Sequence, residues 1–156
     1  MGIKVVKYGG SSLADAGQIT KVCKIIRADE ERRYVVPSAP GKRFDSDEKI
    51  TDLLYRLQSL AASGEVIDTV YEKIRDRFEG IINDLGMDYT LPLEKVKNDI
   101  LNGASPDYAA SRGEYLNGLI LAEYLGYEFV DAAEIICFDE NGNFLAEETN
   151  IKAANR

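Results

Sequence analysis

Residues 3–12, Ile-Lys-Val-Val-Lys-Tyr-Gly-Gly-Ser-Ser, constrain the fold more than any other stretch: a β-branched run has to turn at two glycines and hand over to a helix. Ile3 to Val6 read as a short buried strand, because β-branched side chains suit a pleated sheet covered on both faces. Gly9 and Gly10 lack a Cβ, so the backbone there is free to take φ > 0 and bring bare N–H groups close to a ligand. Such N–H groups form an anion-binding concavity, reinforced by the positive end of the following helix. Lys7 stands at the carboxyl end of the strand, where open α/β sheets bind ligands. The residues alone leave two readings open. One is a phosphate cradle; the other is an ordinary strand–turn–helix with a solvated lysine. The stretch is not a G-x-x-x-x-G-K-[ST] phosphate loop.

Downstream, Asp15 and Gln18 have the spacing of a capping box, and Ile19, Val22, Cys23 and Ile26 share one helical face. Tyr34-Val-Val-Pro37 predicts a second strand, ended by its proline. Residues 38–46 are rich in turn formers and form a loop whose adjacent cations, Lys42 and Arg43, either face phosphate or stay solvated. A helix is expected from about Asp47, with Ile50, Leu53, Leu54, Leu57 and Leu60 as its stripe and Gly64 as its end. A second carries Ile67, Val70, Ile74, Phe78, Ile81 and Leu85 on one face. A third runs from Pro92 to near Gly103. These three helices read as scaffold, with no residue that asks for chemistry.

Ser105-Pro106 is a helix start, serine capping and proline in the first position. This helix should reach Leu125, with Tyr108, Tyr115, Leu119 and Ala122 facing inward. Gly113 interrupts it at a cost of ~1 kcal/mol relative to alanine. Either the helix crosses a neighbour closely there and Glu114 is exposed, or the glycine gives access to Glu114 itself. Tyr127 to Val130 and Ile135 to Phe138 are read as third and fourth strands, joined by residues 131–134; the last dozen residues show no clear period. Strands alternating with helices predict one α/β domain: a three-layer αβα sandwich with a largely parallel sheet.

Composition narrows the chemistry. The sequence has no histidine, which removes the usual general base and the Ser-His and Cys-His nucleophile pairs. A net charge of −8 opposes nucleic-acid binding through the overall field, so any anion site has to be local. Cys23 and Cys137 lie in apolar settings and are expected as free thiols rather than a disulfide. No secretory apolar region opens the sequence and no apolar run approaches the ~18 residues of a spanning helix, so a cytoplasmic chain without membrane contact is expected.

Four stretches, Lys7-Tyr-Gly-Gly-Ser-Ser12, Val35-Val-Pro-Ser-Ala39, Ile50-Thr-Asp-Leu-Leu54 and Ser111-Arg-Gly-Glu114, together resemble the pattern of the aspartokinases of the amino acid kinase family, in the same order. Val130-Asp-Ala-Ala-Glu-Ile135 is similar to the segment that follows in that family. Acetylglutamate kinases share the Lys-Tyr-Gly-Gly opening but not Ser-Arg-Gly-Glu, which narrows the match.

The resemblance implies phosphoryl transfer from ATP, with Mg²⁺, to the β-carboxylate of L-aspartate. It implies that Lys7 neutralises the phosphoryl group in transfer, that Lys7, Tyr8, Gly9, Gly10 and Ser11 line the ATP phosphates, that Ser38 and Thr51 hold aspartate, and that Glu114 takes its ammonium group. An acceptor carboxylate with a pKa near ~4 is already ionised at neutral pH, so the missing histidine is no obstacle. The resemblance further implies that residues 1–156 are the amino-terminal, substrate-binding part of a longer kinase. Metal ligands, the nucleotide-base half and regulatory domains would lie elsewhere, turnover would need them, and the full-length form would be a homo-oligomer. Two alternatives stay open: a kinase for another small carboxylate such as glutamate or acetylglutamate, and a non-catalytic amino-acid-sensing module.

Overall fold

The structure is a computed structural model that describes residues 2–156. Strand β1, Lys4–Tyr8, pairs in parallel with β2, Arg32–Pro37, placing Val6 beside Val35 and Lys7 beside Val36. The crossover between them is a 3-10 turn, Gly10–Leu13, and helix α1, Ala16–Arg27. Asp15 caps α1 by accepting the Gln18 N–H at 2.9 Å, and the expected face of Ile19, Val22, Cys23 and Ile26 is buried. Cys23 and Cys137 are both free thiols.

The core is helical. α2, Ile50–Ser63, and α3, Asp68–Asp84, follow β2; α4, Leu93–Leu101, and α5, Pro106–Leu125, complete the layer. Phe78, Leu54, Leu57, Ile74 and Leu116 have less than 2 % exposure or close to it and interlock at its centre. Burying side chains of this size stabilises the fold by about 1.5–3 kcal/mol each. Ser105 caps α5 by accepting the Tyr108 N–H at 3.1 Å, as its sequence demands.

Several elements differ from expectation, each for a physical reason. The two-stranded sheet is covered on one face only. Val6, Tyr8 and Val35 pack on the helical core, whereas Val5, Tyr34 and Val36 stay 46–68 % exposed on the other, because successive residues of a strand point to opposite sides. Helix α2 starts at Ile50 rather than Asp47, because Lys49 is extended at φ −74° and ψ 145° and the Ile50 N–H donates to the Pro40 carbonyl at 3.2 Å. The buried face of α5 is Ala109, Gly113, Leu116, Asn117, Ile120 and Leu121. Tyr108, Tyr115, Leu119 and Ala122 are only partly buried beside it.

The segment 127–130 forms neither strand nor helix. Its Phe129 ring fills the notch left by Gly118, where a Cβ would come within 2.8 Å of the ring, and meets Tyr115 edge-on at 5.5 Å. Residues 132–135 form the short helix α6, Ala132–Ile135, started by Asp131 accepting the Ala133 N–H. The fourth strand reduces to a single antiparallel bridge, Phe138 with Phe144, around a turn tied by Asp139 to the Asn141 and Asn143 N–H groups. The last residues form α7, Ala146–Ala154, which buries no side chain and therefore shows no apolar period. No helix is long and apolar enough to cross a membrane among the described residues.

Candidate active site

A cleft of about 420 Å³ opens at the carboxyl end of the sheet, between the glycine turn, the loop after β2, the start of α2 and the middle of α5. That volume falls in the range of small-ligand sites. Its floor is a contact between two glycines. A Cβ on Gly41 would fall 2.7 Å from the Gly10 carbonyl carbon, and one on Gly10 would fall 2.9 Å from the Ala39 oxygen. The Gly41 N–H donates to the Gly10 carbonyl at 2.9 Å. Close approach, and not a positive φ, therefore explains Gly10: Gly9 is extended at φ −77°, and neither glycine occupies the left-handed region. Around Gly9 a Cβ would meet nothing within 4 Å.

Of the residues singled out in the sequence, Gly10, Ser11, Ser38, Thr51 and Glu114 line this one cleft. They come from four elements spread over a hundred positions. Lys7, Tyr8 and Gly9 are adjacent in sequence but do not line it. Tyr8 points into the core side of the sheet. Lys7 is exposed at the end of β1, on the same open face as Val5, and has no ion-pair partner among the described residues. Lys42 reaches the rim, where its ammonium also donates to the Asp45 carbonyl at 3.2 Å. Arg43 turns away from the cleft to bind Asp47 through Nε at 2.8 Å and Nη2 at 3.0 Å.

Gly113 serves close packing. A Cβ there would lie 2.6 Å from the Ala39 Cβ and 3.4 Å from Ile50 and Leu54. Helix α5 thus presses against the loop and the start of α2, and the next residue, Glu114, projects into the opening with its side chain exposed. The close crossing with an exposed Glu114 is the arrangement observed. Among the described residues the Glu114 carboxylate has no hydrogen bond or ion pair, so it is free to receive a cation from a ligand.

Three groups that sequence reasoning passed over complete the site. Lys49, the residue capping α2, brings a second cation to the rim. Asn117, fully buried one turn beyond Glu114, donates through Nδ2 to the Ser38 carbonyl at 2.7 Å; among the described residues its Oδ1 accepts nothing. Arg77 of α3, with 5 % of its side chain exposed, binds Asp47 at 2.6 Å and donates to the Gly41 carbonyl at 3.0 Å. The signal was present in the pattern. Arg77 stands at the helical spacing of Ile74 and Ile81, and Asn117 at that of Gly113 and Leu121, so each is a polar residue in an apolar stripe.

The electrostatics follow from these contacts. The Arg43 guanidinium, assisted by the Arg43 and Glu48 N–H groups and by Arg77, holds the Asp47 carboxyl well below the usual carboxylate range against the opposing effect of its burial. Burial and the nearby Arg43 push the Arg77 guanidinium down, offset by Asp47. Two rim cations, three hydroxyls and one carboxylate unpaired among the described residues suit a ligand that is anionic at one end and carries an ammonium group at the other.

The sequence pattern of the Amino acid kinase family matches residues 2–155. Aspartokinase 3 of Bacillus subtilis (strain 168) is 35 % identical over 156 aligned residues, which cover 94 % of this chain and 34 % of that protein. The crystal structure of aspartate kinase from Clostridium acetobutylicum superposes on all of this chain and 36 % of its own, with a TM-score of 0.96 and 51 % identity. E. coli aspartokinase III, solved in complex with aspartate and ADP, shares the fold over 99 % of this chain with a TM-score of 0.78 and 23 % identity. The chain spans about a third of the length of these relatives.

Proposed function

The chain belongs to the amino acid kinase family, and on that premise we propose that the protein, at its natural length, is an aspartate kinase: it transfers the γ-phosphoryl group of ATP to the β-carboxylate of L-aspartate. The product is ADP and 4-phospho-L-aspartate, the entry to the lysine, threonine and methionine branches of aspartate metabolism. The observation that carries the proposal is the meeting of Ser38, Thr51 and Glu114 with the Gly10–Ser11 turn in one cleft. The 51 % identity to the Clostridium enzyme over the whole chain supports it.

In this reading Glu114 pairs with the α-ammonium group of aspartate, and the Ser38 and Thr51 hydroxyls donate to its carboxylates. The backbone of Tyr8, Gly9, Gly10 and Ser11 borders the phosphates, and the exposed Lys7 swings over the phosphoryl group as it moves. The acceptor is ionised at neutral pH, so the protein's work is alignment and charge neutralisation, with no base. Among the described residues no three His, Cys, Asp or Glu side chains gather to hold a metal. Mg²⁺ would arrive with the nucleotide and take protein ligands outside residues 1–156. Those residues are the amino-terminal, substrate-binding part of the kinase, with the nucleotide-base half and regulatory domains beyond them. The working form is cytoplasmic and homo-oligomeric.

An acceptor screen tests the proposal. ADP release from ATP should follow L-aspartate and be lost with N-acetyl-L-aspartate, whose amide cannot pair with Glu114. Equal release with L-glutamate or N-acetyl-L-glutamate would move the protein to another branch of the family, and aspartate binding without any ADP release would make it a sensor.

A further inference from the structure

Helix α3 faces the cleft from behind and lines none of it, yet Arg77 on that helix reaches both of its walls. From the loop side it binds the Gly41 carbonyl at 3.0 Å, the Asp47 carboxylate at 2.6 Å and the Glu48 carbonyl at 3.3 Å. On the glycine-turn side it reaches the Ala14 carbonyl at 3.5 Å. We propose that Arg77 is a positioning residue of the ligand site: it clasps the loop 38–49 to the glycine turn, and so fixes the spacing of Ser11, Lys42, Lys49 and Thr51 around the ligand. The inference rests on the aspartate kinase reading and adds to it a residue that touches neither substrate.

The geometry requires an arginine. A planar guanidinium presents five N–H donors in a fixed fork and can satisfy several oxygens at once, whereas an ammonium is a point donor on a flexible stem. The oxygens bound by Arg77 lie at Gly41, Asp47 and Glu48 along the loop 38–49 and at Ala14 after the glycine turn, and the side chain is nearly closed to water. Gly41 is the pivot. Its N–H holds the Gly10 carbonyl and its carbonyl accepts from Arg77, and any side chain at 41 would push the two walls apart. Asp47 is gripped in turn by the Arg43 side chain and N–H, which keeps the distal half of the loop from swinging out. A 1 Å displacement of aligned groups is enough to cost phosphoryl transfer about 10²-fold.

The test compares four variants of the protein at its natural length: Arg77→Gln, Arg77→Lys, Ile74→Val and Arg75→Ala. Ile74→Val weakens the same helix from inside the core, and Arg75→Ala removes an exposed cation from it. Each is measured for kcat and KM with aspartate and ATP, for thermal midpoint, and for hydrogen exchange at the Gly41 amide. Arg77→Gln should lower kcat/KM about 10- to 100-fold at a temperature where it is fully folded, and should release the Gly41 amide to exchange. Arg77→Lys should recover only part of both, while Ile74→Val and Arg75→Ala keep wild-type kcat/KM and Gly41 protection. Wild-type kcat/KM in folded Arg77→Gln would overturn the inference, as would an unchanged Gly41 amide. A wild-type protein that does not phosphorylate aspartate would overturn the functional reading instead, and the Gly41 exchange would still decide whether Arg77 holds the cleft walls together.

Discussion

The Asp47 carboxylate and the Arg77 guanidinium meet at 2.6 Å with only 8 % and 5 % of their side chains exposed, joining helix α3 to the loop that forms one wall of the cleft. Removing one partner of a buried ion pair strands the other charge, which typically costs about 3–5 kcal/mol. Stability and site geometry are therefore linked at this pair.

That link gives a pH dependence. Unfolded aspartate titrates at roughly 3.9, and in the native protein Asp47 titrates well below this, held down first by Arg43. Between the two values the unfolded chain binds more protons, so the contribution is fully present above about pH 5 and fades as the pH falls through the native titration. Urea unfolding should show Asp47→Asn less stable by about 3–5 kcal/mol at pH 7, with the gap narrowing steadily below pH 4. A gap that stays constant to pH 2 would separate Asp47 from the acid sensitivity of the fold.

Gly113→Ala should destabilise by about 1–3 kcal/mol, the usual cost of an extra methyl in a filled core, because the new Cβ meets the Ala39 Cβ at 2.6 Å. Adding Ala39→Gly should return part of the loss, a coupling that a double-mutant cycle on thermal midpoints would read directly. Strict additivity would mean that α5 relaxes away from the loop without that contact.

Glu114 is exposed and, among the described residues, unpaired, so Glu114→Gln should leave stability within about 0.5 kcal/mol. Loss of a charge-assisted bond of about 1.5–3 kcal/mol predicts an aspartate KM raised by about one to two orders of magnitude, with the ATP KM little changed. Steady-state kinetics checks this; an effect confined to ATP would reassign the residue.

Lys7 is likewise free of partners among the described residues, and Lys7→Ala should fold normally. Removing a group that stabilises charge in the transition state typically costs about 10²–10³ in turnover. Wild-type kcat in that variant would remove Lys7 from the reaction.

The parts of the structure legible in the sequence are those fixed by local rules. The Asp15 and Ser105 caps, the ends of α2 and α5 at Gly64 and Gly126, and the α1 stripe all follow from spacing and capping chemistry. Segments whose state depends on a distant partner were harder. Residues 127–130 have a strand's composition, but their Phe129 is claimed by the notch at Gly118, and α7 lies on the surface with no apolar face to reveal it. In the cleft, short motifs pointed to Ser38, Thr51 and Glu114. Arg77 and Asn117 work through backbone carbonyls contributed by another segment, so no local motif marks them, only a polar residue where the helix should be apolar.

The most direct test of the central claim traps the product. An acyl phosphate reacts with hydroxylamine, so the protein at its natural length, given ATP, Mg²⁺, L-aspartate and hydroxylamine, should accumulate aspartyl β-hydroxamate, and Glu114→Gln should do so only at much higher aspartate. If ADP forms without hydroxamate, or if neither forms while the protein is folded and binds nucleotide, phosphorylation of the aspartate side chain at this cleft is contradicted.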